Sequence, residues 1–126
     1  MYSGYRIEIN GVKISNSFIS QGSYSLKKTR RVLSEYYDAN GVKHEELSNR
    51  ETAEISFSIR ERSMKEQEQL SAIFAQYENV TVTYWDDAST TYKTGIFKME
   101  RPRFSHRNTR HGSINYAKTT INLKEY

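Results

Sequence analysis

Histidines and carboxylates are the residues of this sequence that could do acid–base or metal chemistry. The histidines are His44, His106 and His111, and the last two lie five positions apart in a segment with four arginines and no acidic residue. That positive charge would repel a divalent cation. The neighbouring carboxylates Asp86 and Asp87 lie in a predicted turn, where both would stay hydrated. We therefore expect no metal site, no cofactor and no catalytic pair of carboxylates.

Other catalytic signatures are also missing from the sequence. It has no Gly-rich phosphate-binding loop, no nucleophile elbow and no His-Glu-x-x-His helix. Because it has no cysteine, thiol catalysis, thiolate metal sites and disulfide frameworks are excluded as well. Glu45 and Glu46 are adjacent on a predicted strand, so they would point to opposite faces. We expect a protein that is not an enzyme.

The most distinctive feature is an arginine-rich run at residues 101–110, which we call the basic segment. Its four arginines equal the formal net charge of +4, so the rest of the chain is neutral. Arginines beside an aromatic ring can grip phosphates and stack on bases, but arginine is also enriched at protein interfaces. We expect this segment to dock onto an acidic protein surface, and a small basic nucleic-acid-binding module is the alternative. The candidate contact residues are Arg101, Arg103, Phe104, Arg107 and Arg110.

The elements that must position these residues are predicted to form one domain, residues 1–126. A chain of 126 residues is one domain's worth, and no repeat or linker interrupts it. Ten tyrosines and a single proline favour strands. No apolar run approaches the roughly 20 residues of a membrane helix, and the first residues lack the apolar core of a secretory signal. We expect synthesis in a cytoplasm and no membrane contact.

Alternation of apolar and polar residues predicts a mainly β chain. Asn10 and Gly11 are typical of a tight hairpin turn, because both turn positions need positive φ. The last strand changes its alternation phase, and we expect a bulge near residues 118 and 119 to reconcile the two phases. The predicted strands span residues 5–9, 12–14, 52–60, 80–84, 91–100 and 114–123.

One helix is predicted between the strands. Ser63 and Glu66 form a capping box at its start, and the helix should cover residues 64–77. Its apolar residues recur every three or four positions, so one stripe should pack on the sheet. The predicted fold is an antiparallel β-sandwich or partly closed barrel with a single packed helix. The stripe consists of Leu70, Ile73, Phe74 and Tyr77.

A second Asn-Gly pair, Asn40 and Gly41, predicts another hairpin whose arms are too polar to belong to the core. We call the whole hairpin, residues 24–58, the projecting hairpin. Its apolar side chains Tyr36, Tyr37 and Leu47 would find their most stable environment against a neighbouring subunit. We therefore expect this hairpin, with its turn at Asn40 and Gly41, to form an oligomer interface.

Four segments in this order resemble a family of small tail proteins of siphophages over nearly the whole length. They are IEINGVKI at residues 7–14, VTVTYWD at 80–86, TGIF at 94–97 and INLKE at 121–125. The basic segment is not part of the resemblance.

The resemblance implies a structural role as a tail tube, distal tail or baseplate hub protein. It implies a β-sandwich with a flanking helix, assembly into a homo-oligomeric ring of three or six subunits, and contacts with adjacent tail proteins. The location would be the virion tail after synthesis in the bacterial host cytoplasm. Nucleic acid would be met only as DNA passing through a channel.

Overall fold

The computed structural model describes residues 2–110 and 112–126, and for residues 31–34 and 46–50 it describes the strands but not the side chains. Three of the residues singled out above therefore lie outside the described set: His111, and the side chains of Glu46 and Leu47. The strands are β1 (Ile7–Ile9), β2 (Val12–Ile14), β3 (Ser25–Tyr37), β4 (Lys43–Ile59), β5 (Arg62–Ser63), β6 (Val80–Asp86), β7 (Thr91–Met99), β8 (His106–Arg110), β9 (Ser113–Tyr116) and β10 (Thr119–Glu125).

The strands form two open antiparallel sheets. The larger has seven strands in the order β2-β1-β6-β7-β10-β4-β3, and the smaller has three in the order β5-β9-β8. The predicted mainly β fold with one helix is confirmed. Neither sheet is closed into a barrel within the described part of the chain. The tight hairpin at Asn10 and Gly11 is also confirmed, since both residues have positive φ (51° and 83°) and join β1 to β2.

One face of the seven-stranded sheet is buried. Alternate residues of each strand point to this face, and buried residues of neighbouring strands meet, as Ile121 does directly opposite Phe57. The other face is polar, with cross-strand hydrogen bonds such as Ser56 Oγ to Asn122 Oδ1 at 2.8 Å. The largest buried side chains are Phe57, Phe97, Ile7, Ile9, Ile14, Ile55, Ile59, Ile73, Met99, Ile121, Val80 and Val82.

The helix begins as predicted and ends earlier. Ser63 and Glu66 form the capping box, with the Glu66 N–H donating to Ser63 Oγ at 3.3 Å. Helix α1 covers Met64–Leu70 and continues as a 3-10 segment, Ser71–Phe74, so the prediction of a helix to residue 77 is wrong. Ser71 Oγ donates to the carbonyl of Glu68 at 2.8 Å, a local bond that competes with regular helix.

The bulge predicted near residue 118 is a change of sheet instead. Strand β9 pairs with β5 and β8 in the small sheet, whereas β10 pairs with β4 and β7 in the large sheet. The buried guanidinium of Arg62 holds the junction by donating to the Ala117 carbonyl at 3.3 Å and to Thr119 Oγ1 at 3.1 Å. The alternation changes phase because the chain leaves one sheet and enters the other.

The projecting hairpin extends beyond the sheet that anchors it. Strand β10 pairs with β4 only over residues 54–59, whereas β3 pairs with β4 as far as Tyr37 and Lys43. Residues 43–51 therefore belong to a ribbon of two strands, which at about 3.3 Å per residue is roughly 30 Å long. The 3-10 turn Asn16–Phe18 precedes this hairpin.

Candidate assembly surfaces

The turn of the projecting hairpin is built around one carboxylate. Asp38 Oδ1 accepts from the backbone N–H groups of Asn40 and Val42, both at 2.9 Å, and the Gly41 N–H donates to the Asp38 carbonyl at 3.0 Å. Gly41 has φ of 78°, but Asn40 has no positive φ. The predicted hairpin is thus formed with Asn40 and Gly41 in its turn, and Asp38 closes that turn.

Aromatic side chains are exposed at the end of the projecting hairpin, residues 35–45, which we call the tip. Tyr36 is 59% and Tyr37 66% exposed. The ring of Tyr36 stacks on His44 across the strand pair, with centroids 5.0 Å apart, while Val42 adds an exposed apolar side chain. These rings are large apolar surfaces left in water, and their role in an interface stays a prediction.

Acidic groups outnumber basic groups around the tip. The Lys43 Nζ lies 3.0 Å from Glu45 Oε1 and 3.2 Å from Glu35 Oε1, and these carboxylates raise the pKa of Lys43. His44 Nε2 lies 3.0 Å from Asp38 Oδ2, and this contact lowers the pKa of Asp38. Lys43 thus pairs with two carboxylates and Asp38 with His44, so among the described side chains of the tip three carboxylates outnumber one lysine.

We expected the basic segment to be a loop, but only its first half is irregular chain, and its second half is a strand. Residues 106–110 form β8, an edge strand of the small sheet. Arg107 Nη1 lies 2.7 Å from Glu61 Oε2, so this arginine is already paired. Arg110 is exposed, and no described carboxylate lies within ion-pair distance of it.

Two aromatic contacts fix the irregular half. The Arg101 guanidinium lies over the ring of Tyr77, 4.8 Å from its centroid, and Phe104 meets Phe74 edge to face at 5.0 Å. Between these anchors Arg103 is exposed, and within the described residues it has no ion-pair partner. Phe74 at the end of the 3-10 segment thus holds Phe104, Tyr77 just after it holds Arg101, and Arg103 lies between these two contacts.

A cleft of about 380 Å³ opens beside these arginines, and we call it the basic cleft. Three exposed cations line it, with one carboxylate and several polar groups. The carboxylate is Glu100, which accepts from Asn122 Nδ2 at 3.3 Å. The lining residues are Glu100, Arg101, Pro102, Arg103, Ser105, Lys118, Thr120 and Asn122.

The tip of the projecting hairpin and the basic cleft are separate surfaces. In the described part of the chain, no hydrogen bond or ion pair joins the tip to the basic segment. The structure therefore presents an acidic, aromatic tip and a basic cleft at different places on one subunit.

The other candidate chemistry is not assembled into a site. His106 meets Tyr116 edge to face at 5.3 Å, and His44 contacts Tyr36 and Asp38. Among the residues that the structure describes, no group of histidines and carboxylates is arranged to hold a metal ion. Nor is any helix there long and apolar enough to span a membrane.

A buried ion pair at Asp86 was missed by the sequence analysis. Asp86 is 1% exposed, and its Oδ2 lies 2.6 Å from Lys28 Nζ and 3.0 Å from Lys93 Nζ. Burial alone would raise the pKa of Asp86, but hydrogen bonds from Lys28, Lys93 and Ser89 outweigh burial and hold the pKa below its usual range. The prediction that both turn carboxylates stay hydrated is correct for the exposed Asp87 and wrong for Asp86.

This ion pair also shows how far the large sheet curls. Lys28 lies on β3 and Asp86 on β6, which are four positions apart in the strand order. In a flat sheet they would be about 19 Å apart, yet their charged atoms are in contact. The sheet therefore curves around its buried face until its edge strand approaches β6, and a salt bridge joins them there.

Comparison with known proteins gives a family and a fold. The sequence model of a family described as "Family of unknown function (DUF6711)" matches residues 1–126. No curated protein matches the sequence.

Two solved structures contain chains with a similar fold. A chain of the virion of a native gene transfer agent (GTA) particle is 11% identical, with a TM-score of 0.58 over 98% of this chain and 91% of that one. A chain of the tail of an empty GTA particle, computed with helical refinement and C6 symmetry, is 12% identical, with a TM-score of 0.58 over 100% and 95%. At such low identity these matches establish the fold.

Proposed function

We propose that this chain, which belongs to the DUF6711 family, is a non-enzymatic structural subunit of a phage-like tail. The observation that carries the proposal is the fold similarity, which spans nearly all of this chain and nearly all of each matched GTA chain. One of those chains belongs to a virion and the other to a tail, which supports a location in a virion tail for this chain. The siphophage resemblance of the sequence supports the same role.

Within the tail, a ring-forming tube subunit is the position we favour over a distal tail or baseplate hub protein. The matched tail was computed with helical refinement and C6 symmetry, and a chain that repeats helically suits a tube. Rings of six subunits are accordingly favoured over rings of three. Adjacent tail proteins would contact the ends of such rings, and DNA would pass through the channel.

The projecting hairpin is the proposed contact between subunits. A two-stranded ribbon with exposed tyrosines gains from covering those rings, and tyrosine is among the residues that contribute most to interfaces. The basic segment is proposed to dock onto acidic protein groups. Nucleic-acid binding is the less favoured use, because Arg107 is already paired with Glu61.

The experiment compares the molar mass of assemblies by light scattering after size exclusion. The wild-type chain should elute as an oligomer. The variant Tyr36→Ser/Tyr37→Ser should need about tenfold higher concentration to assemble, which corresponds to a loss of about 1.4 kcal/mol of association free energy. The matched control is Tyr126→Ser, another exposed tyrosine, which should leave assembly unchanged. A monomeric wild type would refute self-assembly, and an unaffected double variant would refute the role of the hairpin.

A further inference from the structure

We infer that the basic cleft receives the tip of the projecting hairpin from a second copy of this chain. The inference rests on the proposed self-assembly and deepens it by naming both halves of one contact. It would make the interface heterologous, because a tip on one subunit meets a cleft on the next, and such contacts generate closed rings or open helical arrays.

The cleft has the chemistry of a carboxylate-binding surface. Arg101, Arg103 and Lys118 present three positive charges against the single carboxylate of Glu100. Hydroxyl and amide groups add hydrogen-bond donors, and those of Ser105 and Thr120 lie in the same lining. Arginine binds carboxylates through a planar fork of donors, so acidic side chains fit this surface better than any neutral group.

The cleft is also held in place before a partner arrives. The Arg101 guanidinium rests on Tyr77 and Phe104 packs on Phe74. These contacts fix the chain on both sides of the exposed Arg103. A surface that is ordered in the free subunit loses less conformational entropy on binding than a mobile loop would.

The tip carries the complementary groups. Glu35 and Glu45 pair with Lys43, and Asp38 contacts His44. With three described carboxylates against one lysine, the tip offers net negative charge to a cleft with net positive charge. Its exposed tyrosine rings are suitable surfaces for stacking by arginine. The tip is only two strands wide, and its ribbon extends roughly 30 Å, enough to reach across to a neighbouring subunit.

A nucleic-acid strand is a poorer occupant of the same cleft. A phosphate chain would meet the Glu100 carboxylate, which lies in the lining and would repel it. A protein tip that carries both signs of charge can instead place Lys43 towards Glu100 and its carboxylates towards the arginines. The observed charges therefore favour the second copy.

The test is reversal of charge on each half. The tip variant Glu35→Lys/Glu45→Lys and the cleft variant Arg103→Glu/Lys118→Glu should each need at least about tenfold higher concentration to assemble than wild type. An equimolar mixture of the two variants should assemble again, because each reversed tip then meets a reversed cleft and each native tip meets a native cleft. Light scattering measures all of these states.

Matched controls separate docking from folding. Lys65→Glu reverses an exposed charge on α1, away from both surfaces, and should assemble like wild type. The milder tip variant Glu35→Gln/Glu45→Gln keeps the hairpin free of added lysines and should weaken assembly less than the reversal does. The midpoint of thermal unfolding of each variant should stay close to that of wild type, because substitutions of exposed side chains change stability little.

The outcomes distinguish the two proposals. If wild type and both reversed variants assemble alike, or if the mixture of variants is not restored, the pairing of tip and cleft is wrong and the tail role remains. If wild type is monomeric, both fail together. If wild type binds duplex DNA at about 0.15 M salt with a steep salt dependence that the cleft variant loses, the cleft serves nucleic acid and the inference is overturned.

Discussion

Asp86 is the buried charge that joins the base of the projecting hairpin to the rest of the subunit. Its carboxylate contacts Lys28 on β3 and Lys93 on β7, and it accepts from Ser89 Oγ at 2.9 Å. Because the side chain is almost fully buried, its charge depends on these partners. Asp86 is far from the tip, but through Lys28 it holds the base of the hairpin and so helps to set the direction in which the tip extends.

Asp86→Asn should lower the free energy of unfolding by about 1–3 kcal/mol, the cost of leaving buried polar groups without their charged partner. Asp87→Asn is the matched control, since Asp87 is exposed, and should change stability by less than about 0.5 kcal/mol. Urea unfolding monitored by circular dichroism measures both. Equal effects of the two substitutions would contradict the buried ion pair.

Acid should remove the contribution of Asp86. Folding lowers its pKa, so the ion pair stabilises the folded state above the unfolded-state pKa of about 4 and this stabilisation is lost as pH falls further. The stability of wild type should thus decline below about pH 4 more steeply than that of Asp86→Asn. Parallel pH profiles of the two proteins would show that Asp86 does not titrate in this way.

The sequence could not reveal this residue. Its local context, Asp86-Asp87-Ala88-Ser89, is typical of a hydrated turn, and Lys28 lies 58 positions earlier in the chain. Only the curvature of the sheet brings the two together. The capping box at Ser63 and Glu66, by contrast, was predictable because both of its partners lie within one turn of helix.

At the scale of the elements, the segment after α1 supports both the core and the basic segment. Ile73 is fully buried, whereas Phe74 is partly buried and carries Phe104. The two neighbours therefore have different roles. Ile73 packs in the hydrophobic core, and Phe74 holds Phe104 beside the basic cleft.

Substitutions at these positions should separate the two roles. Ile73→Ala should cost about 2–5 kcal/mol of unfolding free energy, as truncation of buried Ile does. Phe74→Ala should cost less than a fully buried Phe would, because part of its ring is already in water, and should also weaken assembly by releasing Phe104. Chemical denaturation and light scattering provide the two readings. A larger loss of stability at Phe74 than at Ile73 would reverse this assignment.

The sequence predicted correctly the elements that depend on residues close to one another in the chain. The Asn10-Gly11 hairpin follows from two residues that accept positive φ. The turn at Asn40 and Gly41 was only partly predictable, since Asp38 closes it through backbone groups on the far side. The exchange of sheets at residues 117 and 118 could not be predicted at all, because a bulge and a change of sheet produce the same shift of alternation in the sequence.

At the level of the whole molecule, we expect these subunits to assemble into closed rings. The subunit presents an acidic, aromatic tip and a basic cleft at separate places, as a heterologous contact requires. Its sheets are open and its longest strand pair extends outside the body of the subunit. Both features leave surface that assembly would bury.

Electron microscopy of the purified chain tests this claim most directly. We predict class averages of closed rings with six-fold symmetry, either single or stacked into a tube, which disappear in the cleft variant Arg103→Glu/Lys118→Glu and remain in Lys65→Glu. A field of monomers at every concentration up to the solubility limit, confirmed by light scattering on the same sample, would contradict the account.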